Sequence, residues 1–232
     1  MTTEEFATEL YRAYDQHFDE VRRLKNFLAK ERNQDLQDEY RKTLIMALYA
    51  HFEGFCVFVL QHYLLAVNQV GIDCRRAAPA IVAGAWEPVF NAMEHGDEKC
   101  RVFASSLPND AGLHRHWRRR HFVDEIDAML ARPVSIPEDA IDAESNLKPA
   151  VLQRNLFILG LDHRFVEPHA GAIHNLLGRR NRIAHGDDRR GVPAIEYEGY
   201  ESSVFEICFR LIEFLADAFM NAGYERPVRY EG

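Results

Sequence analysis

The stretch TLIMALYAHFEGFCVFVLQHYLLAV, residues 43–67, is the most apolar part of this 232-residue chain and decides which folds the chain can adopt. Its apolar side chains recur at spacings of three and four over a wide face, which predicts a central helix in a packed core. The run is interrupted by four polar residues and a glycine: His51, Glu53, Gly54, Gln61 and His62. These interruptions disfavour a membrane span and favour a buried helix of a bundle.

Helical periodicity extends from this stretch in both directions. The central helix is predicted over about residues 38–68, with Gly71 at its end. An amphipathic helix is predicted before it, over residues 4–30, from apolar residues that recur every three or four positions. After a long intervening segment, a short helix is predicted over residues 147–159, closed by Gly160.

Two more helices complete the predicted set. The first has Pro168 in its first turn, runs to about His185 and is ended by Gly186, because proline suits a helix start and glycine the position just after a helix. The last helix is predicted over about residues 200–221. A polar loop lies between them, and residues 194–197 are the one segment whose pattern suggests extended backbone.

Residues 71–145 have a different character. Alanine, proline and glycine cluster at 77–88, and one further helix is predicted over 114–131. We therefore interpret residues 71–145 as an inserted, mostly helical module. The predicted fold class is all-α, a single domain over residues 1–232 built as an antiparallel helical bundle with this helical insertion.

Composition disfavours several classes of function. A net charge of −8 argues against a general polyanion binder, although clustered arginines leave room for a local basic groove. The acidic start MTTEEFATEL is unlike a secretory signal, and four scattered cysteines without a C-x-x-C pair suit a reducing cytoplasm. The sequence has no phosphate-binding glycine loop, nucleophile elbow or zinc-protease motif, so we expect neither a metal nor a cofactor.

The segment GRRNRIAHGDD, residues 178–188, is the best candidate for a site. Its Arg-x4-His spacing by itself proves nothing, because the chain contains that spacing three times: Arg12/His17, Arg164/His169 and Arg180/His185. Position separates the three pairs. The first lies at positions of the first helix that are predicted to be solvated, and the second spans the break at Pro168. The third ends a helix before a glycine, where Asn181 and His185 share one face.

A structural interpretation of the same segment is open at this point. Cations near the C-terminus of a helix interact favourably with its partial negative charge. Arg182 and His185 can serve that purpose alone, with Asn181 bonded to a neighbouring loop.

The surrounding residues add information. The stretch LLGRRNRIAHG, residues 176–186, resembles the R-N-x-x-x-H signature of the HEPN (higher eukaryotes and prokaryotes nucleotide-binding) superfamily. The similarity continues in ALYAHFEGFCVFVLQHYL, with its aromatic-Glu-Gly step, in NLKPAVLQRNLFILGLD, and in the order of motif helix, loop and terminal helix. It is closest to bacterial HEPN proteins of toxin and restriction-type defence systems, and it covers about residues 1–70 and 146–223.

The resemblance implies a metal-independent endoribonuclease that cleaves single-stranded RNA as a homodimer, with the two motifs meeting across the interface. Arg180 and His185 would be the catalytic pair, Asn181 would support them, and the products would be a 2′,3′-cyclic phosphate and a 5′-OH. The implied context is toxin action or antiviral defence, with an antitoxin or another defence protein as a partner. The alternative is a non-catalytic HEPN module that binds a nucleotide or a partner protein.

The sequence departs from one branch of HEPN toxins, in which a tyrosine that a partner enzyme modifies stands two residues after the histidine. Here that position is Asp187, so this mode of control is not expected. Asp187 and Asp188 would also repel a phosphate unless they point away or pair with Arg189 and Arg190.

Other residues are weaker candidates. Glu53, inside an apolar face, either bonds Arg180 or Asn181 and holds the site, or serves an unrelated polar contact. Five further residues are candidates for RNA contacts: Arg179, Arg182, Arg118, Arg119 and Trp117. The last three belong to HRHWRRRH, which either grips RNA through arginines and a stacking tryptophan or is the solvated face of a helix.

Overall fold

A computed structural model describes residues 1–95, 100–101, 110–187 and 190–227 of the chain. In these ranges there are eight α-helices and no β-strand, which confirms the all-α prediction. The helices are α1 (Thr3–Leu28), α2 (Gln34–Val70), α3 (Pro79–Ala85), α4 (Glu87–His95), α5 (Ala111–Leu130), α6 (Pro149–Ile158), α7 (Ala170–Ala184) and α8 (Ala194–Met220). Two 3₁₀ turns, Glu138–Ala140 and His163–His169, precede α6 and α7.

Local capping interactions begin the first two helices. The Thr2 hydroxyl accepts a hydrogen bond from the Glu5 N–H at 3.1 Å, and the Glu5 carboxylate accepts one from the Thr2 N–H at 2.7 Å. This reciprocal pair is a capping box, which satisfies two backbone donors at the helix start. Asn33 caps α2 with its side chain alone, whose Oδ1 accepts hydrogen bonds from two backbone N–H groups of the first turn. The short connection over residues 29–33 makes α1 and α2 antiparallel neighbours.

Helix α2 is the centre of the bundle, as its wide apolar face predicts. It packs against α1, α7 and α8, and it ends at Gly71, whose φ of 69° is left-handed. By length and composition α2 is apolar enough to cross a membrane, and half of its most apolar window is buried within the bundle. Its buried residues are Arg41, Leu44, Ile45, Leu48, Tyr49, Phe52, Phe55, Cys56, Val59, Leu60, Tyr63, Leu64, Ala66 and Val67.

The segment between α2 and α6 carries α3, α4 and α5. The residues just after α2 pair with those just after α5, because the Val134 N–H donates to the Ile72 carbonyl at 2.8 Å and the Cys74 N–H donates to the Arg132 carbonyl at 2.9 Å. Helix α5 packs against α4, with the Phe122 ring 6.2 Å from the ring of Phe90. The predicted helix over 114–131 is therefore present, with slightly earlier bounds.

The start of α8 corrects the sequence interpretation of residues 194–197. These residues form the first turn of α8 rather than an extended segment. Pro193 precedes that turn, and its carbonyl accepts hydrogen bonds from the N–H groups of Glu196 and Tyr197. The helix consequently begins six residues earlier than its apolar periodicity predicts, because a helix start is set by the backbone bonds of its first turn.

The starts of α6 and α7 also differ from the predicted ones. Helix α6 begins at Pro149 rather than residue 147, because the Leu147 N–H bonds to α2 side chains instead of entering a helix. Pro168 lies within the 3₁₀ turn that leads into α7, not in the first α-helical turn. The left-handed glycines Gly160 and Gly186 follow α6 and α7 as predicted.

The Arg12/His17 pair is only half solvated. Arg12 is exposed, but His17 is half-buried between α1 and α2, with its ring 6.1 Å from the ring of His51. Burial, with a smaller contribution from His51, lowers the pKa of His17. The two residues therefore do not form one solvent-facing pair.

Candidate active site at the end of α7

The end of α7 sets the positions of the motif side chains. His185 is the C-cap residue, and Gly186 follows with a φ of 74°, a conformation that glycine adopts without strain. The N–H groups of Gly186 and Asp187 close the helix by donating to the carbonyls of Ile183 and Arg182 at 3.1 and 3.0 Å. This closure leaves the His185 side chain exposed, without a hydrogen bond to any residue in the described ranges.

Arg180 is anchored on one side only. Its Nη1 donates to Oδ1 of Asn181 at 2.9 Å and to Oδ1 of Asn146 at 3.3 Å, and its Cζ lies 5.2 Å from the centre of the Tyr49 ring. Nε and Nη2 make no hydrogen bond to any described residue. That second edge is the planar fork with which arginine binds two oxygens of a carboxylate or a phosphate.

A second layer of contacts holds the Tyr49 ring in place. The Tyr49 hydroxyl donates to Oε2 of Glu53 at 2.8 Å, and the Leu147 N–H lies 2.8 Å from both that oxygen and the Tyr49 hydroxyl oxygen. Burial, reinforced by the bond to Glu53, raises the pKa of Tyr49, so its hydroxyl stays protonated as a donor. Tyr49 and Asn146 are the two site residues that sequence reasoning missed.

Glu53 is thus connected to Arg180 indirectly. A direct bond from Glu53 to Arg180 or Asn181, one of the two alternatives that the sequence left open, does not occur among the described residues, and Tyr49 stands between them. The next residue, Gly54, faces the opposite side of α2, where an added Cβ would meet Cε1 of His17 at 3.2 Å. The aromatic-Glu-Gly step therefore serves the site on one side and close helix packing on the other.

Replacing Glu53 tests this second layer. Glu53→Ala leaves the buried Tyr49 hydroxyl without its acceptor and removes one of the two acceptors of the Leu147 N–H, so we expect the free energy of unfolding to fall by about 1–3 kcal/mol. Glu53→Gln keeps an acceptor oxygen and should recover most of the loss. Urea unfolding measures both, with the exposed α2 residue Glu39→Ala as the control, expected to change stability by less than about 0.5 kcal/mol. An unfolding free energy of Glu53→Ala equal to that of the wild type would contradict this role.

The neighbouring Arg179 has a different environment. It is 6% exposed, and its Nε forms an ion pair with Oε1 of Glu196 at 2.9 Å, which ties α7 to the first turn of α8. This placement favours a structural role for Arg179 over the predicted contact with RNA.

A cavity of about 790 Å³ lies beside the motif, between the end of α7 and the start of α8. Its lining includes Arg182, Arg190 and Asp187. Asp187 occupies the position at which one branch of HEPN toxins has a tyrosine. The predicted partners Asp188 and Arg189 lie outside the described residues. Arg182 is exposed, as an RNA-contacting residue requires.

The wall of this cavity is fixed to α2 by Arg41. The Arg41 side chain is buried, and its Nη1 donates to Oδ1 of Asp38 at 2.6 Å and to the Val192 carbonyl at 3.3 Å. The Val192 N–H in turn donates to the Asp38 carbonyl at 2.8 Å. Nothing in the local sequence distinguishes Arg41 from a solvated helix residue, because its partner loop is distant along the chain.

The basic cluster on α5 lies on another part of the bundle. Arg118 donates from Nε to the Met93 carbonyl at 3.0 Å and so joins α5 to α4, while Arg119 is exposed. Trp117 is half-buried, with its ring 5.8 Å from the ring of His121. Arg180, by contrast, packs on α2. A role of the α5 residues in binding RNA stays a prediction.

The family assignment follows from these residues and one comparison. A family model described as RiboL-PSP-HEPN matches residues 12–221, which include the α2 contacts, the R-N-x-x-x-H motif and α8. The chain belongs to the RiboL-PSP-HEPN family. The HEPN assignment inferred from the motif is thereby confirmed. Neither a curated protein nor a solved structure matches the chain.

The RiboL-PSP-HEPN site combines two chemical capabilities. Arg180 presents a guanidinium edge of the kind that binds an oxyanion, and His185 presents an exposed imidazole, the side chain that most often serves as a general acid or base in enzymes. Within the described ranges, no three His, Cys, Asp or Glu side chains are grouped as metal ligands.

Proposed function

We propose that this RiboL-PSP-HEPN protein is a metal-independent endoribonuclease that cleaves single-stranded RNA through Arg180 and His185. The observation that carries the proposal is the one-sided anchoring of Arg180. Two amide oxygens and an aromatic ring hold the guanidinium from one side, while the Nε–Nη2 edge has no bond to a described residue. An arginine held in this way is preorganised for the two non-bridging oxygens of a phosphodiester.

RNA supplies the nucleophile for this chemistry. The ribose 2′-oxygen attacks the adjacent phosphorus, the bond from phosphorus to the 5′-oxygen breaks, and a 2′,3′-cyclic phosphate and a 5′-OH form. One imidazole takes the proton from the 2′-OH, and a second protonates the leaving 5′-oxygen. Arg180 stabilises the charge that develops on the phosphate oxygens. Each protomer contributes one motif histidine, so two imidazoles require a homodimer in which both copies of His185 face one phosphate.

The test is incubation of the purified protein with a fluorescently labelled single-stranded RNA in excess EDTA. We expect cleavage that persists in EDTA and yields ends with a 2′,3′-cyclic phosphate. Light scattering on the same sample should give the mass of a dimer. Intact RNA under all conditions, or cleavage by a strict monomer, would count against the proposal.

The cavity of about 790 Å³ beside the motif favours a second candidate, a non-catalytic module that binds a nucleotide. Its volume is in the range of small-molecule sites, and three arginines contribute to its lining: Arg179, Arg182 and Arg190. Calorimetric titration with nucleotides separates the two candidates, because tight nucleotide binding without RNA cleavage would favour the binding module.

The biological setting is proposed from the resemblance alone. Bacterial HEPN proteins with a similar order of elements belong to toxin and antiviral defence systems. We therefore place this protein in the cytoplasm, with an antitoxin or another defence protein as a partner. Toxicity on expression, relieved by His185→Ala, would support that setting.

A further inference from the structure

The turn before α6 has an unusual backbone. Glu144 and Ser145 are consecutive non-glycine residues with positive φ, 45° and 69°, in the left-handed region that such residues rarely adopt. Such conformations persist only where surrounding contacts impose them, and they are concentrated at functional sites. Asn146, the partner of Arg180, follows directly.

The contacts that impose this turn come from α6. Arg154 donates from Nη2 to Oδ1 of Asp142 at 2.7 Å, and its Nη1 bonds the Glu144 carboxylate. The fully buried Asn155 donates from Nδ2 to the Asp142 carbonyl at 2.7 Å. Within the turn, the Asn146 N–H donates to the Ala143 carbonyl at 2.9 Å. Hydrogen bonds to its backbone carbonyls and ion pairs to its carboxylates therefore both stabilise the turn.

Asn146 and Leu147, the two residues that follow the strained pair, both contact Arg180 or the residues that hold it. Asn146 accepts a hydrogen bond from Nη1 of Arg180, and the Leu147 N–H bonds Glu53 and the Tyr49 hydroxyl. The same short segment thus fixes the in-plane position of the guanidinium through Asn146. It also fixes the ring beneath that guanidinium through Tyr49.

We propose that the turn over residues 142–147 positions Arg180. Asn146 is the positioning residue, and the left-handed backbone at Ser145 directs the Asn146 side chain toward the guanidinium. This inference rests on the proposed function. It also implies that residues 71–145 end in a structure tied directly to the site, so that a ligand or partner which shifts that end would change the position of Arg180.

Three variants test this role by kinetics. Asn146→Ala removes the anchor and should lower kcat by about 10- to 100-fold, since a small misplacement of a catalytic group has that order of effect. Ser145→Val places a β-branched residue at a φ that such residues resist, so kcat should fall by about tenfold as the Asn146 side chain is displaced from Arg180, measured at a temperature where the variant is folded. Asn146→Asp places an anion beside Arg180 that competes with phosphate, and it should raise KM.

Ala222→Val is the matched control, because Ala222 is the third non-glycine residue with positive φ among the described residues, at 51°, and lies after α8. It should impose the same kind of strain and leave kcat unchanged. A kcat of Asn146→Ala and Ser145→Val equal to that of the wild type would overturn the inference. So would an equal loss of kcat in Ala222→Val.

Nuclear magnetic resonance of the arginine side chains separates this inference from the proposed function. Rotation of the Arg180 guanidinium should be hindered in the wild type and freed in Asn146→Ala. Hindered rotation in a wild type that leaves RNA intact would support the positioning role and reject the ribonuclease. Identical rotation in both proteins would reject the positioning role whatever the activity. Guanidinium chloride at millimolar concentration offers a third readout, since it should rescue Arg180→Ala better than Arg180→Ala/Asn146→Ala.

Discussion

Arg180→Ala and His185→Ala should each lower the rate of RNA cleavage by roughly 10³-fold, since loss of a proton-transfer group costs about 10²–10⁴ and loss of an oxyanion donor about 10²–10³. The fold should be preserved in both variants. His185 is exposed, and Arg180 keeps one edge without a bond to a described residue. Cleavage is measured as the initial rate on labelled single-stranded RNA in EDTA, and folding by circular dichroism and thermal melting.

Two exposed residues provide matched controls. His174 lies on the solvent side of the same helix, and Arg164 is an exposed arginine paired with Asp162. His174→Ala and Arg164→Ala should cleave RNA at the wild-type rate. Arg180→Lys adds a further comparison, because lysine keeps the charge but lacks the planar fork, so its rate should stay well below that of the wild type. Wild-type rates in Arg180→Ala and His185→Ala would place the activity elsewhere.

Arg179→Ala should have the opposite effect: a large loss of stability rather than a direct loss of cleavage. Its guanidinium is buried, and removing it leaves the Glu196 carboxylate at the start of α8 without its ion-pair partner. Breaking a buried pair costs about 3–5 kcal/mol, but the Glu196 side chain is 33% exposed and retains some hydration, so we expect about 2–3 kcal/mol. For a chain of this length, the melting temperature should fall by roughly 4–12 °C.

The comparison between the two adjacent arginines is the informative measurement. At a temperature where Arg179→Ala is folded, its cleavage rate should remain much closer to that of the wild type than the rate of Arg180→Ala. Arg179→Met, which fills the same space with an apolar chain, should recover part of the stability. A folded Arg179→Ala that loses cleavage as completely as Arg180→Ala would instead make Arg179 part of the site.

The helical plan of this protein can be predicted from its sequence because the signals are local. Apolar spacing predicts α1 and α2, and Gly71, Gly160 and Gly186 predict three helix ends. Helix starts are predicted less well, because neighbouring segments compete for the same backbone groups. The Leu147 N–H is bonded to α2, and the backbone bonds to Pro193 begin α8 early.

Local sequence patterns are enough to predict an all-α bundle and, through R-N-x-x-x-H, membership of the HEPN superfamily. They also identify Arg180, Asn181 and His185 as the residues to mutate. The packing of the helices was needed to show that Arg179 is buried and that Arg180 presents a guanidinium edge. It also brought Tyr49 and Asn146 to Arg180 and placed Glu53 behind them. These contacts join residues that are distant along the chain. Asn146 is 34 residues from Arg180, and Leu147 is 94 residues from Glu53, so their meeting depends on how α2, α6 and α7 pack.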